Sequence, residues 1–120
     1  MKNKVFYLNN EKTAYVKAYL LDKVESIPFG EKRPAIIIFP GGGYKYCSER
    51  EAEPIAMRYL AEGYNAFVLY YTCDKKFPAA IINAAYAMYK IRARADEFNI
   101  DKEKIAVWGA SAGGHLAGCL

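Results

Sequence analysis

Apolar and polar positions alternate over residues 14–21, with Ala14, Val16, Ala18 and Leu20 set against Tyr15, Lys17, Tyr19 and Leu21. A period of two is that of a strand with one buried face. A shorter apolar run over residues 5–8 precedes it across Asn9-Asn10-Glu11-Lys12, so the pair predicts an antiparallel hairpin. The pattern then changes. Ala35-Ile36-Ile37-Ile38-Phe39 is apolar without alternation, as is Ala66-Phe67-Val68-Leu69 within residues 64–71, and both predict strands covered on two faces. Over residues 78–98, Ile81, Ala84, Met88, Ile91, Ala95 and Phe98 recur every three or four positions with Asn83, Lys90, Arg94 and Glu97 opposite, which predicts an amphipathic helix lying on a sheet. A helix is also predicted over residues 54–63. Ser48 and Glu51 have capping-box spacing, but Pro54 suits a first turn and Gly63 an end. Loops fall at 27–34 and 72–77, and Lys104-Ile105-Ala106-Val107-Trp108 predicts the last strand.

A hairpin followed by alternating strand and helix implies an α/β fold: a mostly parallel sheet with helices on both faces and an N-terminal antiparallel hairpin. The 120 residues form a single domain, and 53% hydrophobic with 15% aromatic residues excludes a disordered chain. The formal charge is +4, and the densest basic run, Lys90-Ile91-Arg92-Ala93-Arg94, falls within the predicted helix. Successive helical residues point in different directions, so this run is expected to be a solvated face, and no nucleic-acid partner is expected. Cys47, Cys73 and Cys119 are odd in number, far apart along the chain and lack metal-ligand spacing, so a reducing compartment and no metal are expected. The basic amino terminus lacks the apolar run of a signal peptide, and no stretch approaches a membrane-spanning length; a cytoplasmic protein without a membrane partner is expected.

The chemistry concentrates in Val107-Trp108-Gly109-Ala110-Ser111-Ala112-Gly113-Gly114-His115-Leu116. A buried strand, a G-x-S-x-G corner and the start of a helix are the ingredients of a nucleophile elbow, in which a serine hydroxyl is held above the sheet on a sharp turn. Gly109 and Gly113, with Ala110 and Ala112, supply the small residues such a corner needs. A dinucleotide fingerprint would need glycine in place of Ser111, and a phosphate loop would need a Gly-Lys-Ser/Thr ending. Upstream, Pro40-Gly41-Gly42-Gly43-Tyr44 follows a buried strand. Three consecutive glycines there suit an oxyanion loop better than a plain flexible one.

With these two motifs in this order the chain resembles the α/β-hydrolase fold. Within that fold it resembles esterases and lipases with a His-Gly-Gly-Gly loop, acetyl-xylan-esterase-like enzymes among them. The resemblance implies Ser111 as nucleophile, Gly42 and Gly43 as loop donors of an oxyanion hole and Ala112 as the remaining backbone donor. It implies a serine ester hydrolase without cofactor, acting on a small-molecule ester such as an acetylated carbohydrate. Pro40 stands where many relatives carry histidine. In this fold the triad acid and base follow the elbow. Here only nine residues follow Ser111, and the single histidine, His115, is expected to be structural; none of Asp22, Asp74, Asp96 or Asp101 has a position that fits the acid. The chain is therefore expected to be the amino-terminal half of an esterase, the alternative being a non-catalytic fragment or interaction protein. An uncovered strand over residues 104–108 invites pairing, so a homo-oligomer or a missing carboxyl-terminal half is expected.

Overall fold

The computed structural model describes residues 1–23, 32–75 and 78–120. It opens on the antiparallel pair β1 (Lys2–Tyr7) and β2 (Tyr15–Leu20), in register from Lys2↔Leu20 to Tyr7↔Tyr15. The turn between them is tied by Asn9, whose Oδ1 accepts the N–H groups of Thr13 at 3.0 Å and Ala14 at 3.3 Å. Ala14, Val16, Ala18 and Leu20 are buried, as their alternation requires. Tyr19, from the opposite set, is buried as well, because β2 lies inside the sheet and its second face packs near the first helix. The Tyr19 hydroxyl donates to Glu53 Oε2 at 3.0 Å, and burial together with that carboxylate pushes the phenol up to about 12.

β3 (Arg33–Phe39), β4 (Asn65–Tyr70) and β5 (Ile100–Gly109) complete a five-stranded sheet of order β1-β2-β4-β3-β5. The sheet is mixed: β3 runs parallel to both β4 and β5, while β1–β2 and β2–β4 are antiparallel. β3 is paired on both edges and covered on both faces, which is the physical reason its sequence shows no alternation. Two polar residues at the start of these strands are buried but satisfied. Arg33 donates to the carbonyls of Gly63 and Asp22 at 3.1 and 3.2 Å. Asn65 accepts from Leu21 N–H at 2.9 Å and donates to the Phe98 carbonyl at 2.9 Å.

Helices cover both faces. On one, α1 (Glu53–Ala61) lays Ala56 and Leu60 on Ile36, Ile38, Val68 and Tyr70. On the other, α2 (Ala79–Ala93), α3 (Ala95–Phe98) and α4 (Ala112–Cys119) bury Ala84, Ile91, Phe98 and Leu116 against Ile37, Phe39, Phe67 and Leu69. α1 begins one residue before Pro54, after a 3₁₀ turn at Glu49–Glu51, and the Ser48 side chain caps nothing.

The helix predicted over 78–98 is broken at Arg94, whose φ of −105° and ψ of 24° leave the helical region. The guanidinium there stacks on Phe6 and Phe98, with its carbon 4.9 and 4.8 Å from the ring centroids, and bonds Glu97. Asn83, assigned by its spacing to the polar face, is buried instead, where its Oδ1 accepts the N–H of Thr72 at 2.8 Å. A hydrogen bond to the loop after β4 outweighs amphipathic position at that residue.

β5 begins at Ile100, earlier than residue 104, because Asn99 in the left-handed region (φ 55°, ψ 44°) turns the chain directly into pairing with Arg33. Among the described residues it forms one edge of the sheet, with Ala106 and Val107 exposed where the sequence predicts a buried strand. The predicted loop at 27–34 lies largely outside the described residues, as do the last two residues of the loop at 72–77. Among the described residues, no helix is long and apolar enough to cross a membrane.

Candidate active site

β5 ends at Gly109, paired with Phe39 of β3, and two residues later Ser111 stands at the head of α4 with φ 53° and ψ −119°. A side chain in that conformation is strained by about 1–3 kcal/mol and persists only where its surroundings over-determine it. The surroundings here are crowded. A Cβ on Gly109 would strike the Gly113 carbonyl, and one on Gly113 would strike the Phe39 carbonyl and lie 2.7 Å from the Pro40 oxygen. Helix and strands thus approach as closely as backbone allows. The corner is closed by Gly113 N–H to the Ala110 carbonyl at 2.9 Å and His115 N–H to the Ser111 carbonyl at 3.0 Å. Ser111 itself is exposed.

The glycine loop lies against this corner through Gly41. A Cβ there would sit 2.6 Å from the Ala110 oxygen and 3.2 Å from Ser111 Cβ, so only glycine fits. Both ends of Gly41 are held: its N–H donates to Glu51 Oε1 at 2.9 Å, and its carbonyl accepts from Ser48 N–H at 2.8 Å. The next two glycines have φ of 140° and 65°, and Tyr44 has φ 64°. Space beyond Gly43 is open, whereas a side chain at Gly42 would run into the Tyr46 carbonyl. With no histidine at position 40, the Pro40 carbonyl accepts from the buried hydroxyl of Tyr71, whose phenol burial holds well above its ordinary value.

Tyr44 bridges loop and elbow. Its hydroxyl meets His115 Nδ1 at 2.6 Å, its ring stands edge-on to the imidazole, and its carbonyl accepts from Asp74 N–H at 2.8 Å. Burial raises this phenol too, with the Cys119 thiol adding to the effect. Beside it lies an apolar cavity of about 200 Å³ lined by Tyr44, Ala80, Ile81, His115, Leu116 and Cys119 among others. A larger cleft of about 300 Å³ borders α1, but apart from Trp108 its lining belongs to neither motif.

The structure therefore packs Ser111 against Gly41, the first glycine of the run. Gly42 and Gly43 follow in the same loop, and Ala112 is the first residue of α4. The N–H groups of Gly42, Gly43 and Ala112 take no partner among the described residues. Helix N-terminal N–H groups such as that of Ala112 favour negative charge. Neither a histidine nor an acid among the described residues bonds the Ser111 hydroxyl, and none of Asp22, Asp74, Asp96 and Asp101 bonds His115.

Sequence reasoning missed the contact of Gly41 with Ser111 and the bracing by Glu51 and Tyr71. Only the capping-box spacing drew notice to Glu51, and it pointed to a different bond. The same reading left Cys47 and Cys73 unrelated, yet their sulfurs lie 3.8 Å apart.

The comparisons with known proteins agree with this architecture. The BD-FAE family model matches residues 25–120. Endo-1,4-beta-xylanase B of Butyrivibrio fibrisolvens is 41% identical over 96 residues, which cover 74% of this chain and 15% of that protein. An α/β-hydrolase enzyme from a Medee basin deep-sea metagenome superposes with a TM-score of 0.92 at 45% identity, over 97% of this chain and 49% of that one. The acetyl ester-xyloside bifunctional hydrolase of Caldicellulosiruptor lactoaceticus superposes with a TM-score of 0.83 at 33% identity, over 97% of this chain and 44% of that one. This chain thus spans about half the length of the solved structures it matches and a smaller part of the curated relative. By this match and by its five-stranded mixed sheet, the chain belongs to the BD-FAE family, with the architecture of part of an α/β-hydrolase.

Proposed function

We propose that Ser111 is the nucleophile of a carboxylic-ester hydrolase and that the N–H groups of Gly42, Gly43 and Ala112 bind the oxyanion. The observation that carries this reading is the Ser111 backbone, held at φ 53° and ψ −119° on a corner where Gly41, Gly109 and Gly113 admit no side chain. In this scheme Ser111 Oγ attacks the ester carbonyl and the negative oxygen settles among the three N–H groups. The alcohol leaves to give an acyl-Ser111 intermediate, which water then hydrolyses. Loss of one such donor costs about 3 kcal/mol of transition-state stabilisation in comparable sites. His115 is tied to Tyr44 through Nδ1, and neither it nor any acid among the described residues bonds the Ser111 hydroxyl, so this reading takes the base and its acid partner from outside these 120 residues.

Small acyl esters, acetylated carbohydrates first among them, are the substrate class we favour. The support is the xylan- and xyloside-related names of two relatives. Three free cysteines suit a reducing, cytoplasmic setting. The exposed β5 edge suits pairing with a second copy or with a further segment of the same fold.

Reaction of a form of the protein that extends beyond residue 120 with a fluorophosphonate, followed by peptide mapping, tests the assignment. The adduct is expected on Ser111 and absent from Ser111→Ala, and an adduct on any other residue overturns it.

A second reading is favoured by one observation, the absence of any histidine or acid bonded to the Ser111 hydroxyl among the described residues. In that reading the chain is a non-catalytic fragment or interaction protein with at most weak residual hydrolysis. Because the first reading takes its base from outside these 120 residues, turnover of p-nitrophenyl acetate by a form of the protein that extends beyond residue 120 and by its Ser111→Ala variant separates the two. Equal, low rates favour the second reading; a high rate lost in the variant excludes it.

A further inference from the structure

Cys47 lies in the loop between β3 and α1, and Cys73 lies in the segment after β4; their sulfurs are 3.8 Å apart. Both thiols reach the same acceptor, the Tyr71 carbonyl, with Cys47 Sγ at 3.8 Å and Cys73 Sγ at 3.4 Å. The backbone around them is already fastened. Asp74 N–H bonds the Tyr44 carbonyl at 2.8 Å, and the Tyr71 hydroxyl bonds the Pro40 carbonyl. Neither cysteine belongs to a helix or strand, so the movement that closes the sulfurs from 3.8 Å to the roughly 2.05 Å of a bond falls on two loop segments and leaves the sheet and helices in place.

We infer that Cys47 and Cys73 form a reversible disulfide that fastens the glycine loop to the segment after β4. The pair is a modification site independent of whether Ser111 acts as a nucleophile.

The oxidant is a low-molecular-weight disulfide such as oxidised glutathione. One cysteine thiolate attacks a glutathione sulfur and releases one glutathione thiolate. The second cysteine thiolate then attacks the protein-bound sulfur and releases the other. Two protein thiols lose two electrons and two protons, and one glutathione disulfide becomes two glutathione thiols. Burial is the main cause that raises both thiols, Cys47 to about 12, with the neighbouring Cys73 adding to the effect there. Exchange is therefore slow at neutral pH and accelerates about tenfold per pH unit toward alkaline pH. Cys119 is exposed on α4 and is the competing site for mixed-disulfide formation.

Incubating the whole chain with oxidised glutathione at alkaline pH, blocking free thiols with iodoacetamide and mapping tryptic peptides without reduction tests the inference. Cleavage after Lys45, Arg50, Arg58 and Lys75 places the two cysteines on separate peptides. The expected product joins these two peptides within one molecule at two hydrogens below the summed mass, and dithiothreitol releases it. Its Tm is expected to rise by about 5 °C or more. The same joined product is expected for Cys119→Ala, whereas protein oxidised in denaturing urea scatters among the possible pairings. Recovery of alkylated Cys47 and Cys73 from folded protein whose Cys119 is fully converted would overturn the inference, as would links found only between molecules.

Discussion

The hydroxyl of Tyr44 lies 2.6 Å from Nδ1 of His115, joining the loop after β3 to the helix after β5 through one side-chain pair. One ring nitrogen is thereby committed, so the imidazole serves as a strut between the two motifs. Tyr44→Phe, which removes the hydroxyl and keeps the ring, is expected to lower stability by about 1 kcal/mol. Urea denaturation measures this, and fluorophosphonate labelling at Ser111 should survive in Tyr44→Phe and in His115→Ala. Loss of labelling in folded His115→Ala would make the histidine a base.

The glycines of the corner differ in what surrounds them, and substitution should report that difference. Gly113→Ala drives a methyl into the Phe39 carbonyl and is expected to cost roughly 2–4 kcal/mol. Gly118, later in the same helix, has open space around it. Gly118→Ala is therefore expected to stabilise by about 0.5 kcal/mol through helix propensity alone. Thermal melts of the two variants should move in opposite directions.

Glu51 holds the N–H of Gly41, so its loss should loosen the loop more than the fold. Glu51→Ala is expected to cost about 1 kcal/mol globally, while Glu51→Gln keeps an acceptor and costs less. Amide exchange should locate the change: faster exchange at Gly41 in the alanine variant, with β3 unaltered. Equal protection of Gly41 in both variants would remove Glu51 from the bracing of the loop.

Acid should cost the fold the Glu97 contacts. Hydrogen bonds from Arg94, then Lys4, hold its carboxyl at about 2, against an ordinary 4.5. The folded value is depressed, so its contribution is present above about 4.5 and is lost as pH falls toward about 2. The side chain is 41% accessible, so salt should screen the effect. A profile of Tm against pH is expected to fall less across that window for Glu97→Gln than for the parent. Added salt should narrow the gap, and parallel profiles would refute the assignment.

Assembly should depend on β5, whose outer edge has no partner strand among the described residues while Val107 is 39% exposed. Val107→Lys places a charge on that strand and is expected to shift sedimentation toward the monomer without loss of fold. A parent that sediments as a monomer at every concentration would end this reading.

What the chain declared in advance were the features set by near neighbours. The alternation around Val16, the unbroken run Ile36 to Ile38 and the small residues around Ser111 each led to the right element, because pleat, double burial and close packing act residue by residue. The sheet is mixed as expected, with only β2 of the five strands reversed, but the pairing of β2 with β4 was not legible, since no local pattern encodes partner choice. Asn83, Arg94, Glu51 and Tyr71 were misread or missed for a common reason: each is placed by a hydrogen bond or ring contact with a segment remote in sequence. The pairing of Cys47 with Cys73 belongs with them.

The strand order also bears on when the molecule comes together. β1 and β2 meet across a short turn, but β3 must wait for β5, far along the chain, before Phe39 can pair with Gly109. Closing so long a stretch of chain is slow compared with forming a hairpin. Until it happens, β3 presents a bare apolar edge, and the strained serine has no frame to hold it. The corner around Ser111 is thus built later than the hairpin, and until then the open edge of β3 is exposed to any partner that captures it first.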